Sequence, residues 1–211
     1  FYNTMISARL SLVNMIQDVA QKIGHMNVDN VTEAFKKANI RITGKGYYKA
    51  GMGDGGACHP RDNIALSWLS KELGLGYDLF GAISHSREQQ TKNFAKFVAD
   101  ICKKEKKSCV INGKAYKPSV PYTIGSPSVL LAGYINELGV DVNYADPETE
   151  DILEGIQDCV CVMAHDPQTT YDHTGRTYKQ KLYFDLAKGS TIIDPWRCFK
   201  DNDYNVIYYG S

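Results

Sequence analysis

Residues 108–113, SCVING, mark the point where the sequence changes from a helical to a strand-like pattern. The run is short, apolar and followed by a glycine, which is typical of a buried strand. Comparable strand patterns follow four more times along the chain: VDVNYADP (140–147), DCVCVMAHD (158–166), STIIDPW (190–196) and, as an edge strand, YNVIYYG (204–210).

Helical patterns separate these strands in residues 126–139, where Gly139 ends the helix, and in residues 179–188. Alternating strands and helices predict an α/β fold with an open, mostly parallel sheet. Ligands of such sheets bind at the carboxyl ends of the strands, so we expect a Rossmann-like, ligand-binding domain over residues 107–211.

Upstream of this domain, apolar residues recur at helical spacing in four segments: 1–23, 29–38, 62–73 and 78–106. Gly24 is a typical helix end, and Asp29 and Asp62 are predicted helix caps. We therefore predict a helical domain over residues 1–106. Its first helix has no capping residue before Phe1, which indicates that the chain belongs to a longer one.

The composition argues against several classes of partner. The 211 residues include 24 basic and 24 acidic side chains, and this balance predicts neither nucleic-acid nor membrane binding. No apolar run approaches the ~20 residues of a membrane span. Six cysteines without a C-x-x-C pair favour reduced thiols and a cytoplasmic protein.

Residues 51–62, GMGDGGACHPRD, contain the spacing G-x-G-x-x-G at Gly51, Gly53 and Gly56. In a dinucleotide-binding fingerprint a strand precedes the first glycine and a helix begins at the last. The preceding KGYYKA is not typical of a buried strand, and Pro60 follows before we expect a helix to start. The context therefore argues against a dinucleotide fingerprint.

The same loop presents Cys58, and its local chemistry leaves two interpretations open. Cys58 is either a nucleophile or an ordinary cysteine packed near a turn. Arg61 and the expected helix start favour a thiolate, while Asp62 can either activate a water molecule or cap the helix.

No metal site is predicted, because Cys58 and His59 are adjacent and point apart, and Cys159 and Cys161 read as small core residues of a strand. The sequence offers no partner for the four other histidines, His25, His85, His165 and His173.

Four ordered stretches resemble the UDP-glucose/GDP-mannose dehydrogenases, which oxidise a nucleotide sugar at C6 to its uronic acid. GDGGACHPRD (53–62) resembles the family's cysteine motif G-F-G-G-S-C-F-P-K-D. The other three are YNTMISARLSLVN (2–14), AYKPSVPYTIGSP (115–127) and VDVNYADP (140–147). The resemblance covers the family's central and C-terminal domains, and the family's N-terminal NAD-binding domain has no counterpart in these residues.

The resemblance implies an NAD-dependent, two-step oxidation in which Cys58 forms a thiohemiacetal and then a thioester. Asp62 matches the residue that helps to activate water, and Asn3 matches an asparagine near the reacting oxygen. Arg61 is a positively charged residue at the position where the family has lysine, and we assign it to cofactor binding. The resemblance also implies a homodimer formed through the helical domain.

The resemblance further implies that the substrate is a UDP- or GDP-hexose, and it suggests which residues contact it. Candidate substrate contacts are Arg41, Lys49, Gly51, Gly53, Gly55, Lys117 and Arg197. The family's D-D-x-R, whose arginine contacts NAD, is replaced by PYTI at 121–124. A catalytically silent nucleotide-sugar-binding and dimerisation module therefore remains an alternative. A cysteine hydrolase would need a histidine paired with Cys58. The sequence shows no such partner beyond the adjacent His59, which argues against this third interpretation.

Overall fold

The computed structural model describes residues 2–39, 42–43, 50–53, 56–165 and 180–210. Its helices are α1 (Tyr2–Ile23), α2 (Val28–Lys37), α3 (Cys58–Glu72), α4 (Leu79–Glu105) and α5 (Pro127–Glu137), with a short 3-10 helix at Pro147–Thr149. Its strands are β1 (Cys109–Asn112), β2 (Val142–Ala145), β3 (Val160–Met163), β4 (Thr191–Asp194) and β5 (Asn205–Tyr208).

The chain forms two compact units. The helical unit comprises Phe1–Lys49 and Arg61–His85, and the sheet unit comprises Ala50–Pro60 and Ser86–Ser211. Residue 106, where we predict the domain boundary, directly follows α4; the functional division at that position stays a prediction.

In the helical unit, two polar side chains stabilise helix starts. Asn27 caps α2, and its Oδ1 accepts a hydrogen bond of 2.8 Å from the backbone N–H of Asp29. The prediction that Asp29 is the cap was therefore wrong, because Asp29 already lies in the first turn. At the start of α4, Asp78 accepts from the backbone N–H of Gly81 at 2.8 Å and from Ser67 Oγ, and these bonds lower the pKa of Asp78.

Helix α3 begins earlier than the sequence predicts. It starts at Cys58, so Asp62 lies inside the helix and the prediction that it caps α3 was wrong. Pro60 falls in the first turn, where backbone N–H groups have no partner within the helix, and a proline there removes no hydrogen bond.

The sheet unit contains five parallel strands in the order β2-β1-β3-β4-β5. This confirms the predicted α/β fold with a mostly parallel sheet, and β5 lies at the edge as expected. Strand β1 pairs with β2 on one side and with β3 on the other, with Ile111 opposite Tyr144 and Val162.

Both faces of the three central strands, β1, β3 and β4, are buried, as is usual for a parallel sheet. Alternate strand residues such as Ile111, Val162 and Ile193 pack with apolar side chains of α4 and α5. The opposite face buries Val110, Cys161, Met163 and Ile192 against Phe184, Leu186 and Phe199. Cys159 and Cys161 are buried in this second cluster, as the sequence predicts.

The helix predicted over residues 179–188 was wrong for the part that the structure describes, which is not helical. Asn112 holds this segment extended: its Oδ1 accepts from the backbone N–H of Tyr183 at 2.8 Å, and its Nδ2 donates to the carbonyl of Lys181 at 2.9 Å. Phe184 and Leu186 are both buried, so the spacing of two fits an extended chain.

Within the described ranges, no helix combines the length and the apolar character that crossing a membrane requires.

Candidate functional site

The topology of the sheet creates a crevice at the carboxyl ends of β1 and β3. The chain proceeds from β1 to β2 on one side and then returns to β3 on the other side of β1. In open parallel sheets, ligands bind outside the strand ends at such a switch point. Residues 113–115 follow β1 at this position, and residues 164–165 follow β3.

A fully buried carboxylate, Asp146, fixes the turn after β1. Its Oδ2 accepts from the backbone N–H groups of Lys114 and Ala115, each at 2.8 Å, and its Oδ1 accepts from Glu148 at 3.1 Å. These three backbone N–H donors offset the free-energy cost of removing the Asp146 side chain from water. The turn is therefore held rigidly between the ends of β1 and β2.

His165 packs against the same turn and is 4% exposed. Its Nε2 lies 3.1 Å from the carbonyl oxygen of Ala115 and 3.8 Å from Asp146 Oδ2, and its Nδ1 lies 3.2 Å from the hydroxyl of Tyr183. Burial lowers the pKa of His165, although the Asp146 carboxylate opposes this effect. His165 is therefore a core histidine, and the sequence offers no partner for it because its partners lie 18 and 50 positions away.

The loop that carries Cys58 lies directly on the sheet unit. Gly51 lies so close to the indole ring of Trp196 that an added methyl group would overlap the ring. A methyl group added to Gly53 would likewise overlap the side chain of Pro127. Gly56 has φ +95°, and a methyl group there would lie 2.7 Å from the Tyr116 ring. The glycines of this loop thus permit close packing of its backbone.

Hydrogen bonds secure the start of this loop. Arg197 Nη2 donates to the carbonyl of Ala50 at 2.6 Å, and Gln90 Nε2 donates to the carbonyl of Gly51 at 3.2 Å. Arg197 Nη1 also donates to the carbonyls of Pro195 and Tyr209, at 2.5 and 3.0 Å. The hydrogen bonds that we describe for Arg197 thus go to backbone carbonyl groups, and a role of Arg197 in substrate binding stays a prediction.

Cys58 is exposed at the first residue of α3. Lys117 belongs to the same region, because its Nζ lies 5.4 Å from the centre of the Tyr116 ring that packs on Gly56. The sheet unit therefore brings together Cys58, the glycine loop, Lys117 and Arg197.

The other predicted site residues belong to the helical unit or fall outside the described residues. Asp62 and Arg61, in the helical unit, form an exposed ion pair in which Arg61 Nε and Nη2 are each 2.8 Å from Asp62 Oδ1. Asn3 lies in α1. Arg41, Lys49 and Gly55 fall outside the described residues.

Trp196, Tyr116 and the Asp146–His165 contact were not predicted from the sequence as parts of the candidate site. Asp146 and Trp196 each stand directly or closely after a strand, at the edge where ligands bind. This position after a strand is the sequence signal that could have identified both residues. No sequence signal indicates the contact between Trp196 and Gly51, because it joins segments that are distant in the chain.

Comparison with known proteins supports the resemblance. The model of the UDP-glucose/GDP-mannose dehydrogenase family, central domain, matches residues 1–89. The chain is 26% identical over 146 residues to UDP-glucose 6-dehydrogenase TuaD of Bacillus subtilis, covering 69% of this chain and 31% of that protein. It is 24% identical over 217 residues to UDP-glucose 6-dehydrogenase of Rickettsia conorii, covering 95% of this chain and 49% of the relative.

Among solved structures, GDP-mannose dehydrogenase from Pseudomonas aeruginosa has a TM-score of 0.68 at 15% identity, over 97% of this chain and 50% of that one. This likeness shows the fold alone. The chain spans between about a third and a half of the length of these relatives. Residues 1–89 thus match the central-domain model of the UDP-glucose/GDP-mannose dehydrogenase family, and the chain as a whole is similar to UDP-glucose 6-dehydrogenases.

Proposed function

We propose that this chain is the central and C-terminal part of an NAD-dependent nucleotide-sugar 6-dehydrogenase that oxidises a UDP- or GDP-hexose to its uronic acid. The observation that carries the proposal is the exposed thiol of Cys58, on a loop packed at the ligand-binding edge of a parallel sheet. The family match over residues 1–89 includes this cysteine.

In the proposed reaction, the Cys58 thiolate attacks the C6 aldehyde carbon, a C–S bond forms, and the former carbonyl oxygen takes a proton to give a thiohemiacetal. Two molecules of NAD, held by another part of the complete protein, would supply the oxidant: each would take one hydride, the first from the C6 alcohol and the second from the thiohemiacetal, and each step would release the hydroxyl proton, leaving first the aldehyde and then the thioester. Water then attacks the thioester carbon, the C–S bond breaks, and the thiol is released with the uronic acid. We assign Asp62 to accept the proton of this water.

NAD itself does not fit the described residues. A dinucleotide cradle requires a glycine-rich turn that leads directly from a strand into a helix. Here residues 113–126 separate β1 from α5, and Ile124, where the family has an NAD-contacting arginine, is 79% exposed. We therefore propose that another part of the complete protein holds NAD, and the assignment of Arg61 to the cofactor depends on that part.

For the substrate, we propose that the glycine loop and Lys117 bind the sugar diphosphate. A backbone that lacks side chains lets a ligand approach closely, and a lysine ammonium balances phosphate charge. Arg41, Lys49 and Arg197 remain candidates for the same role, and Asn3 for a hydrogen bond near the reacting oxygen.

We also propose that the helical unit forms a homodimer. Ile64 and Trp68, one turn apart on α3, are 66% and 60% exposed. Together with Ser67, Lys71, Gly81 and Ser84 they line a shallow hollow of about 280 Å³. Exposed apolar side chains around a hollow are typical of a protein interface.

Replacement of the nucleophile tests the proposed reaction. In the complete protein, meaning this chain with the NAD-binding domain that the resemblance implies, Cys58→Ser should stop uronic acid release. Cys198→Ser, which changes the other exposed thiol, should leave release unchanged. Uronic acid formation by Cys58→Ser at the native rate would contradict the proposal.

A silent binding module is the second candidate, because the described residues offer no NAD cradle. Calorimetric titration of the chain with a nucleotide sugar, and separately with NAD, measures what this part binds. We expect binding of the nucleotide sugar and none of NAD. Turnover of the complete protein distinguishes the candidates, since a silent module would release no NADH.

A further inference from the structure

Trp196 is anchored from two neighbouring strands. Its backbone N–H donates to Asp194 Oδ1 at 2.9 Å, at the end of β4, and its indole Nε1 donates to the carbonyl of Ala164 at 3.0 Å, just after β3. The side chain is 9% exposed and belongs to the apolar cluster that includes Met52 and Phe94. The orientation of the indole ring is therefore fixed by the sheet.

Asp194 reinforces this anchor. Its buried carboxylate also accepts from the backbone N–H groups of Cys198 at 2.6 Å and Phe199 at 2.8 Å. Because one carboxylate gathers three N–H groups of the same loop, the backbone around Trp196 is rigid.

The fixed ring in turn determines where the Cys58 loop lies. The space beside the Gly51 Cα is filled by the six-membered part of the indole, so the ring meets loop backbone directly. Met52, the next residue, is 6% exposed in the same cluster. With the bonds of Arg197 to Ala50 and Gln90 to Gly51, the ring fixes this end of the loop.

The other end of the loop is also fixed, just before Cys58. Gly56 packs on Tyr116, and a methyl group on Gly125 would lie 2.5 Å from the Cα of Ala57. Cys58 itself is exposed, so its position depends on how these two ends are held rather than on burial of its own side chain.

We infer that Trp196 is a positioning residue for Cys58, acting through its contact with Gly51. Its catalytic consequence rests on the proposed function, because the thiol must meet the C6 carbon. A misplacement of about 1 Å can reduce the rate of an enzyme by about 100-fold. A loop displaced by one methyl group therefore suffices to impair the reaction.

A double-mutant cycle on the chain tests this contact. The variants are Gly51→Ala, Trp196→Ala and the double variant, and the measurement is the rate at which iodoacetamide alkylates Cys58, followed by mass spectrometry. Gly51→Ala should change this rate by at least about threefold when Trp196 is present and leave it nearly unchanged in the Trp196→Ala background. An equal effect of Gly51→Ala in both backgrounds would overturn the inference.

Gly133→Ala is the matched control, since a methyl group on this α5 glycine meets no described atom within 4 Å. It should leave Cys58 alkylation unchanged. If Gly51→Ala does not fold, Trp196→Phe decides: loss of the bond to Ala164 should alter the Cys58 rate in a variant whose cooperative unfolding transition shows that it is folded. An unaltered rate in this variant would also overturn the inference.

Alkylation requires neither NAD nor substrate, so this test is independent of the proposed reaction. In the complete protein, the same Gly51→Ala change should lower kcat more than it raises KM. A native kcat together with an altered alkylation rate would contradict the catalytic consequence while leaving the loop contact intact.

Discussion

Burial of the His165 ring makes the stability of the sheet unit depend on pH. The folded-state pKa of this histidine lies below its ordinary value of about 6.5, mainly because burial disfavours the charged ring. The unfolded chain therefore binds this proton more readily, and stability falls as pH decreases through and below about 6.5.

We expect His165→Gln to flatten this part of the pH profile. Urea unfolding near pH 7 and near pH 5 would give the free energy of unfolding at each pH. The difference between the two values should be smaller for His165→Gln than for the native chain. His85→Gln, a change at an exposed position, should retain the native difference; an unchanged difference in His165→Gln would argue against the buried neutral ring.

The six cysteines should differ sharply in reactivity. Cys58 and Cys198 are exposed, whereas the other four are buried. Burial raises the pKa of Cys159 to about 12 and that of Cys161 well above its ordinary value. Since the thiolate is the nucleophile, iodoacetamide should modify Cys58 and Cys198 in the folded chain and the others after unfolding. Modification of Cys159 before Cys58, detected by peptide mapping, would be the opposite result.

The extended segment beside the sheet is held by the Asn112 side chain and by backbone hydrogen bonds between Gln157 and residues 185 and 187. Asn112→Ala would remove the partners of Tyr183 N–H and Lys181 C=O, at a cost of about 1 to 3 kcal/mol. Asn143→Ala, at an exposed position of neighbouring β2, should cost less than about 0.5 kcal/mol. Urea unfolding measures both, and equal losses would show that the Asn112 bonds contribute nothing special.

The strands of the sheet could be predicted from sequence because each is a compact apolar run between turn residues. The segment at 180–188 could not, since the Asn112 bonds that keep it extended join residues about 70 positions apart. The starts of two helices were also predicted at the wrong residue. Asn27 caps α2 two residues before the predicted Asp29, and α3 begins at Cys58 although Pro60 follows.

The same limit applies to the candidate site. Cys58 and Lys117 could be proposed from motifs. The Asp146–His165 contact and the packing of Trp196 on Gly51 could not, because sequence spacing carries no information about such tertiary pairs. Residues that hold a site in place are therefore harder to predict than those that carry its chemistry.

For the whole molecule, the proposed dimer gives a direct prediction. Trp68→Glu places a charge on the exposed apolar surface of α3 and should shift the chain from dimer to monomer in sedimentation velocity. Ile152→Glu changes an isoleucine of the sheet unit that is 74% exposed, and it should leave the dimer intact. A native chain that sediments as a monomer would contradict the dimer.

Peptide mapping of an acid-quenched reaction can detect the thioester that we propose Cys58 forms with the oxidised sugar. The complete protein carrying Asp62→Asn, mixed with NAD and a panel of UDP- and GDP-hexoses, should accumulate this intermediate because water activation is impaired. We expect a uronyl adduct on the peptide that contains Cys58. An adduct on another residue, or uronic acid released at the native rate without any adduct, would contradict it.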